Sequence, residues 1–254
     1  MGKAIDFAGG FYTALPSVLK QHGIEAVIRY VGQPSNPKCI SSKELHDYTD
    51  NDIGICWVYE TTTNWMLGGK AAGKNAAQDS VDHIVGIGGP KRPVVYFAAD
   101  WDVSSKELSA CLLCLEGAAS VLGADHVGVY GSYYLISNAM SQHYAYYGWE
   151  AAGWQYGHVS PAAQIVQHVG DTFGALGLSY DGDTLQHDSY GQWPAASTPA
   201  PIPSPDPPKP VPDAPVDAPS WAWGERVDYS GRKLVSAYTP ARLSAQGLMD
   251  LIRG

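Results

Sequence analysis

PVVYFAADWD, residues Pro93–Asp102, decides how this chain folds. Val94, Val95, Tyr96 and Phe97 are strong strand formers, and a run apolar on both faces predicts a strand buried on both sides. The run ends abruptly in two carboxylates, Asp100 and Asp102. Side chains alternate along extended chain, so the two acids are expected on one side. A core strand that delivers acids at its C-terminal end belongs to a βα barrel or an open α/β sheet, where sites gather at that end.

Outward from this strand the chain repeats one rhythm. Strand patterns fall at Lys3–Ala8, Ala26–Val31 and Asp52–Tyr59 before it, and at Val127–Tyr130, Gly148–Tyr156, Ala163–His168 and Asp183–His187 after it. Helical patterns fill the gaps at Leu15–His22, Ser42–Tyr48, Lys70–Ile87, Ser104–Leu122 and Tyr133–Tyr144. Ser41-Ser42-Lys43-Glu44 has the spacing of a capping box. Such alternation is the α/β rhythm, and up to eight short strands fit within residues 3–193. The expected fold is therefore a compact (β/α)8 TIM-like barrel with abbreviated late helices. An open doubly wound sheet is the alternative, but no GxGxxG follows the first strand and no P-loop occurs. Residues 1–193 form the barrel in this division, 194–220 a Pro-rich linker of polyproline II character, and 221–254 a small β-hairpin and helix tail. The tail is too short to be secure alone and is expected to dock or assemble.

Composition narrows the function. With 16 basic against 25 acidic residues the net charge is −9, which disfavours nucleic acid or an anionic membrane as the main partner. No apolar run reaches the length of a membrane span, so no membrane insertion is expected, and no Sec-type signal precedes the first strand. Eight Trp and 16 Tyr suit sugar-binding clefts as well as cores. Cys39, Cys56, Cys111 and Cys114 make no disulfide framework and are expected as thiols. No HExxH or GxSxG is present, Asp100 and Asp102 are too few acids to specify a cation, and neither metal nor cofactor is expected.

Asp6, Glu60, Asp100 and Asp102 follow or end the first, third and fourth strands, where crowded carboxyls can hold one proton and serve as acid and base. Asp183 closes the ring beside strand one, and Tyr59, Tyr130 and Trp154 are candidates to contact a glycan.

AIDFAGG at Ala4–Gly10, IRYVG at Ile28–Gly32, WVYE at Trp57–Glu60, GGKAAGKNAAQDS at Gly68–Ser80 and VVYFAADWD at Val94–Asp102 together resemble a known family. It is the glycoside-hydrolase-like TIM-barrel domain of actinobacterial and actinophage proteins, itself distantly similar to family 25 lysozymes. VGVYG, GWQY and DGD at Val127–Gly131, Gly153–Tyr156 and Asp181–Asp183 continue the match more loosely. The resemblance implies a strand-one acid at Asp6 and a D-x-E motif at Asp100–Asp102, with Asp102 as a shortened general acid and Glu60 as its possible substitute. It implies a peptidoglycan or cell-surface glycan hydrolase, lysozyme-like, of a phage: an endolysin, or a virion-associated enzyme meeting phage structural proteins through residues 194–254. Its location is then the virion or the host cell wall. The rival expectation is a non-catalytic tail or envelope-adsorption protein with a glycan-binding barrel.

Overall fold

The computed structural model describes residues 1–9, 14–33, 35–168 and 179–194. The expected linker and tail lie outside the described residues, except for Pro194. Eight strands close into one barrel in sequence order: β1 (Gly2–Asp6), β2 (Ala26–Val31), β3 (Gly54–Tyr59), β4 (Val95–Ala98), β5 (Val127–Gly131), β6 (Tyr147–Glu150), β7 (Ile165–His168) and β8 (Asp181–Leu185). Helices α1 (Pro16–Gln21), α2 (Ser42–Thr49), α3 (Gly69–Gly86), α4 (Leu108–Leu122) and α5 (Tyr133–Ser141) follow the first five strands. The barrel is TIM-like, and one feature departs from an all-parallel ring. Strands β1 to β7 pair in parallel, but β8 runs antiparallel to both β7 and β1. Only residues 169–180 separate β7 from β8, barely the dozen that a crossover to a parallel strand needs.

Strand alternation sorts the core into two layers. Ala4, Ala26, Ile28, Cys56, Val58, Tyr96, Ala98, Tyr130, Trp149, Ile165 and Leu185 fill the barrel interior. Ile5, Val27, Ile55, Trp57, Tyr59, Val95, Phe97 and Val129 face outward and pack with the helices. Each inward phase, continued two residues further, reaches the C-terminal mouth.

Two local features show how the sequence holds the outer layer. Ser41 caps α2 by accepting from the Glu44 N–H at 3.2 Å, as the capping box predicts. The Glu44 side chain does not return the bond but turns inward to Arg29 of β2, Nε–Oε1 2.6 Å, both groups being buried. On the other side, α3 and α4 cross at glycines: a Cβ on Gly73 would stand 1.8 Å from the Cys114 carbonyl oxygen, and one on Gly117 2.1 Å from that of Lys70. Neither carbonyl can yield without parting the helices. Gly73→Ala is therefore expected to cost about 3 kcal/mol, the upper range for overpacking, read as a lower midpoint in urea unfolding. An unchanged midpoint would mean that the helices slide freely.

Candidate active site

The mouth is built from strand ends. Asp6 ends β1 in the inward phase of Ala4, Glu60 follows β3 in the phase of Cys56 and Val58, and Asp100 continues Tyr96 and Ala98 of β4. Tyr30 of β2, Tyr130 of β5, Trp149 of β6 and Gln167 of β7 share that phase. Asp183 arrives by another route. Because β8 is reversed, its first residues lie at the mouth, with Asp181 beside Asp6 and Asp183 beside Ala4. A parallel β8 would have carried both acids to the far end.

A hydrogen-bonded chain runs across the mouth. The Tyr130 hydroxyl donates to Gln167 Oε1 at 2.9 Å, and Gln167 Nε2 donates to Asp6 Oδ2 at 2.9 Å. Trp149 Nε1 donates to Asp183 Oδ1 at 2.8 Å. Asp6 and Asp183, both buried, are hydrogen-bonded to each other. Two carboxyls this close are costly to ionise together, and deep burial with the Asp6 charge beside it favours the protonated form of Asp183. Its Oδ2, which meets no N–H or O–H donor among the described residues, is the oxygen left to hold that proton. Burial and then the Asp6 charge hold Asp183 well above the usual aspartate range. Burial, with the charges of Asp181 and Asp100, pushes Asp6 up to about 7, against the hydrogen bonds from Gln167 and Asp183.

Glu60 and Asp100 form a second pair on neighbouring strands. Burial first, then the Asp100 charge, raises Glu60, while Lys38 and a hydrogen bond from Tyr30 lower it. Asp100 itself is exposed. This combination favours a protonated carboxyl beside an accessible one.

The remaining predicted residues divide. Tyr130 is part of the mouth network, and Trp154, in a short 3-10 turn after β6, packs against the interior cluster. Tyr59 faces the other way: its outward phase places it against Trp65 and Phe97, with a hydrogen bond to Asp79 of α3. It stands in the helix layer, away from the acids. Asp102 lies beyond a bend at Trp101 and receives a hydrogen bond from the Tyr156 hydroxyl. Sequence reasoning passed over Tyr30 and Gln167, although the inward phases of Ile28 and Ile165 would have found both. Among the described residues no group of three or more His, Cys, Asp or Glu is arranged to hold a metal ion, and no helix is long and apolar enough to cross a membrane.

The buried acids make stability depend on pH. Asp6 ionises near 7 in the fold against about 4 in an unfolded chain, so between those values the folded state holds more protons. Its contribution is complete at low pH and is lost as pH rises from about 4 to about 7. Glu150, buried at the end of β6 and pushed up to about 7, acts in the same direction. Asp183→Asn keeps an oxygen for Trp149 and offers Asp6 an N–H. Thermal unfolding should show the variant melting above the wild type at pH 7.5, with the gap closing towards pH 4. A variant that melts lower at pH 7.5 would show that the acids are not in conflict.

The fold is a closed α/β barrel with acids gathered at its C-terminal mouth, and the family it matches is glycoside-hydrolase-like. Residues 17–184 match the model of the Rv2525c-like, glycoside hydrolase-like domain, and the chain belongs to that family. Two crystal structures of Rv2525c, a Tat-secreted protein of Mycobacterium tuberculosis, are similar to it at 26% identity. One contains HEPES and the other L-tartrate; their TM-scores are 0.68 and 0.69, over 76% of this chain and 98% of theirs. An uncharacterized B. stearothermophilus protein shares the fold, with TM-score 0.54 at 15% identity over 73% of this chain and 96% of that one. So does the modular autolysin LytC of Streptococcus pneumoniae, solved with a synthetic peptidoglycan ligand, with TM-score 0.50 at 13% identity over 72% of this chain and 46% of that one. No curated protein matches the chain.

Proposed function

We propose that the barrel is a glycosidase acting on cell-wall glycan, with Glu60 as proton donor and Asp100 as the carboxylate facing the anomeric carbon. The observation that carries this is the Glu60–Asp100 pair, in which burial and a neighbouring acid favour the protonated form of Glu60 beside an exposed Asp100. In the step, the bond from the anomeric carbon to the leaving oxygen breaks as that oxygen takes the Glu60 proton. Asp100 either bonds to the anomeric carbon or takes a proton from the attacking water, and water supplies the new hydroxyl. The Asp6–Asp183 pair keeps negative charge behind the site and Gln167 orients it. LytC, which shares the fold, was solved with a peptidoglycan ligand, and this supports peptidoglycan as the glycan to try first.

The finer reading is a wall-lytic enzyme of a phage, released as an endolysin or carried on the particle with residues 194–254 meeting other virion proteins. It rests on the resemblance to actinophage proteins. The purified full chain is expected to release reducing ends from mycobacterial-type peptidoglycan, and immunogold labelling of particles separates a virion component from a released lysin. No release from several wall glycans rejects the hydrolase. A second reading, a glycan-binding barrel that does not cut, is favoured by the aspartate at position 102, one methylene shorter than the glutamate of D-x-E.

A further inference from the structure

Lys38 is a cation at the acid-lined mouth that the proposed chemistry does not use. It lies between β2 and α2, where the chain returns to the rim. Cys39 bridges Tyr30 at the end of β2, and the Ile40 N–H donates to the Tyr30 carbonyl at 2.9 Å. The turn before it is closed by the Lys38 N–H on Asn36 Oδ1 at 3.0 Å and the Cys39 N–H on the Asn36 carbonyl at 2.9 Å. The backbone at Lys38 is thus fixed to the strand that carries Tyr30. Its ammonium sits 5.1 Å from the centre of the Tyr30 ring, over a face that attracts a cation. Tyr30 in turn hydrogen-bonds to Glu60 and feels the charges of Glu60, Asp6 and Asp100.

The ring holds the ammonium without neutralising it. Among the described residues, Lys20, Arg29, Lys43, Lys70 and Arg92 each meet a carboxylate, whereas no carboxylate stands within ion-pair distance of Lys38 Nζ. Lys38 is exposed, and its charge reaches Glu60 without pairing with it. The acids of the mouth repel an anionic group on an incoming glycan, so a cation on one side decides where such a group can sit. One ammonium balances one charge. A carboxylate matches it, while a phosphate dianion would leave negative charge facing Glu60.

We propose that Lys38 is a specificity-determining residue that selects a glycan carrying a free carboxylate, with the acidic sugar on the Tyr30 side of the mouth. The ammonium donates to the carboxylate, and the Tyr30 ring keeps that ammonium at the rim. The carboxylate is either on a lactyl ether, as in muramic acid, or on the ring, as in a hexuronic acid. A muramyl carboxyl bound to a stem peptide is an amide without charge, so the assignment favours glycan from which the peptide has been removed. This inference rests on the glycosidase reading and deepens it by naming the charge of the substrate.

The test uses the full chain and two matched pairs of oligosaccharides. One pair contains muramic acid with its lactyl carboxyl free or as the carboxamide, and the other a hexuronic acid with its ring carboxyl free or as the carboxamide. Affinity is read by calorimetry in the Asp100→Asn background, where cleavage is slow, and kcat/KM with Asp100 in place. The free carboxylate of one pair should bind about fivefold more tightly than its carboxamide, the upper end for an exposed ion pair. Added salt should shrink that advantage. Lys38→Gln should abolish it, Lys38→Arg retain it and Lys38→Glu reverse it. The pair that shows it identifies the carboxylate as lactyl or ring-borne. Lys38 also lowers Glu60, so Lys38→Gln should move the alkaline limb of the pH–rate profile to higher pH on free and amidated substrates alike. That movement with no carboxylate advantage in either pair would make Lys38 a tuner of Glu60 and overturn the proposal. An advantage that survives in Lys38→Gln would overturn it too. A Lys38-dependent advantage without hydrolysis by any form would uphold the recognition while removing the glycosidase reading.

Discussion

Asp100→Asn should lower kcat for release of reducing ends from peptidoglycan by about 10²–10⁴, the range for loss of a positioned acid–base group. The replacement is nearly isosteric and Asp100 is exposed, so the melting temperature should stay close to that of the wild type. The residual activity carries a second signature. Asp100 is one of the groups that raise Glu60, so removing its charge should let Glu60 ionise at lower pH. The alkaline limb of the pH–rate profile, on which the general acid loses its proton, should then move to lower pH. Retention of more than about a third of the wild-type rate would take Asp100 out of the chemistry.

The largest stability effect is expected at Arg29→Ala. Arg29 is 1% exposed, donates from Nε to Glu44 Oε1 at 2.6 Å and from Nη1 to the Phe7 carbonyl at 2.6 Å, and lies 4.2 Å over the Phe7 ring. Removing it strands a buried carboxylate and a carbonyl together. Breaking a buried pair from one side costs about 3–5 kcal/mol. At about 2–4 °C per kcal/mol for a domain of this size, the melting temperature should fall on the order of 10 °C. Arg29→Met combined with Glu44→Leu should recover most of the loss, because neither charge is then buried alone. Failure of the double variant to recover would point to the Phe7 contacts instead. Phe7 adjoins Asp6, so the single variant should also reduce activity.

Most of the barrel was legible in the sequence because its signals are local. The strand patterns at Pro93–Ala99, Ala26–Val31 and Asp52–Tyr59 are largely apolar, and the observed strands fall within them. What was illegible depends on pairing between distant segments. No residue in DGDTL states that β8 runs backwards; the short connection from β7 is the nearest hint. Tyr59 was expected beside Glu60 at the site, but adjacent residues on a strand face opposite ways, and Tyr59 supports α3 instead. The same alternation carries Gln167 to Asp6, a contact across 161 residues. Asp102 was expected to align with Asp100, which holds only while the chain stays extended, and the bend at Trp101 ends that. The capping box at Ser41 was half legible: the cap formed, while Glu44 found a stronger partner in Arg29.

The reversed final strand also gives the molecule a polarity. Having entered at the mouth, β8 runs down to pair Leu185 with Gly2, and Trp193 then bridges to Ile55 low on β3. Pro194 thus leaves from the floor of the barrel, beside Gly54 and Glu25 at the N-terminal strand ends. The acids and Pro194 therefore lie at opposite ends of the barrel, so a substitution at Trp193 or Pro194 is expected to leave the mouth undisturbed.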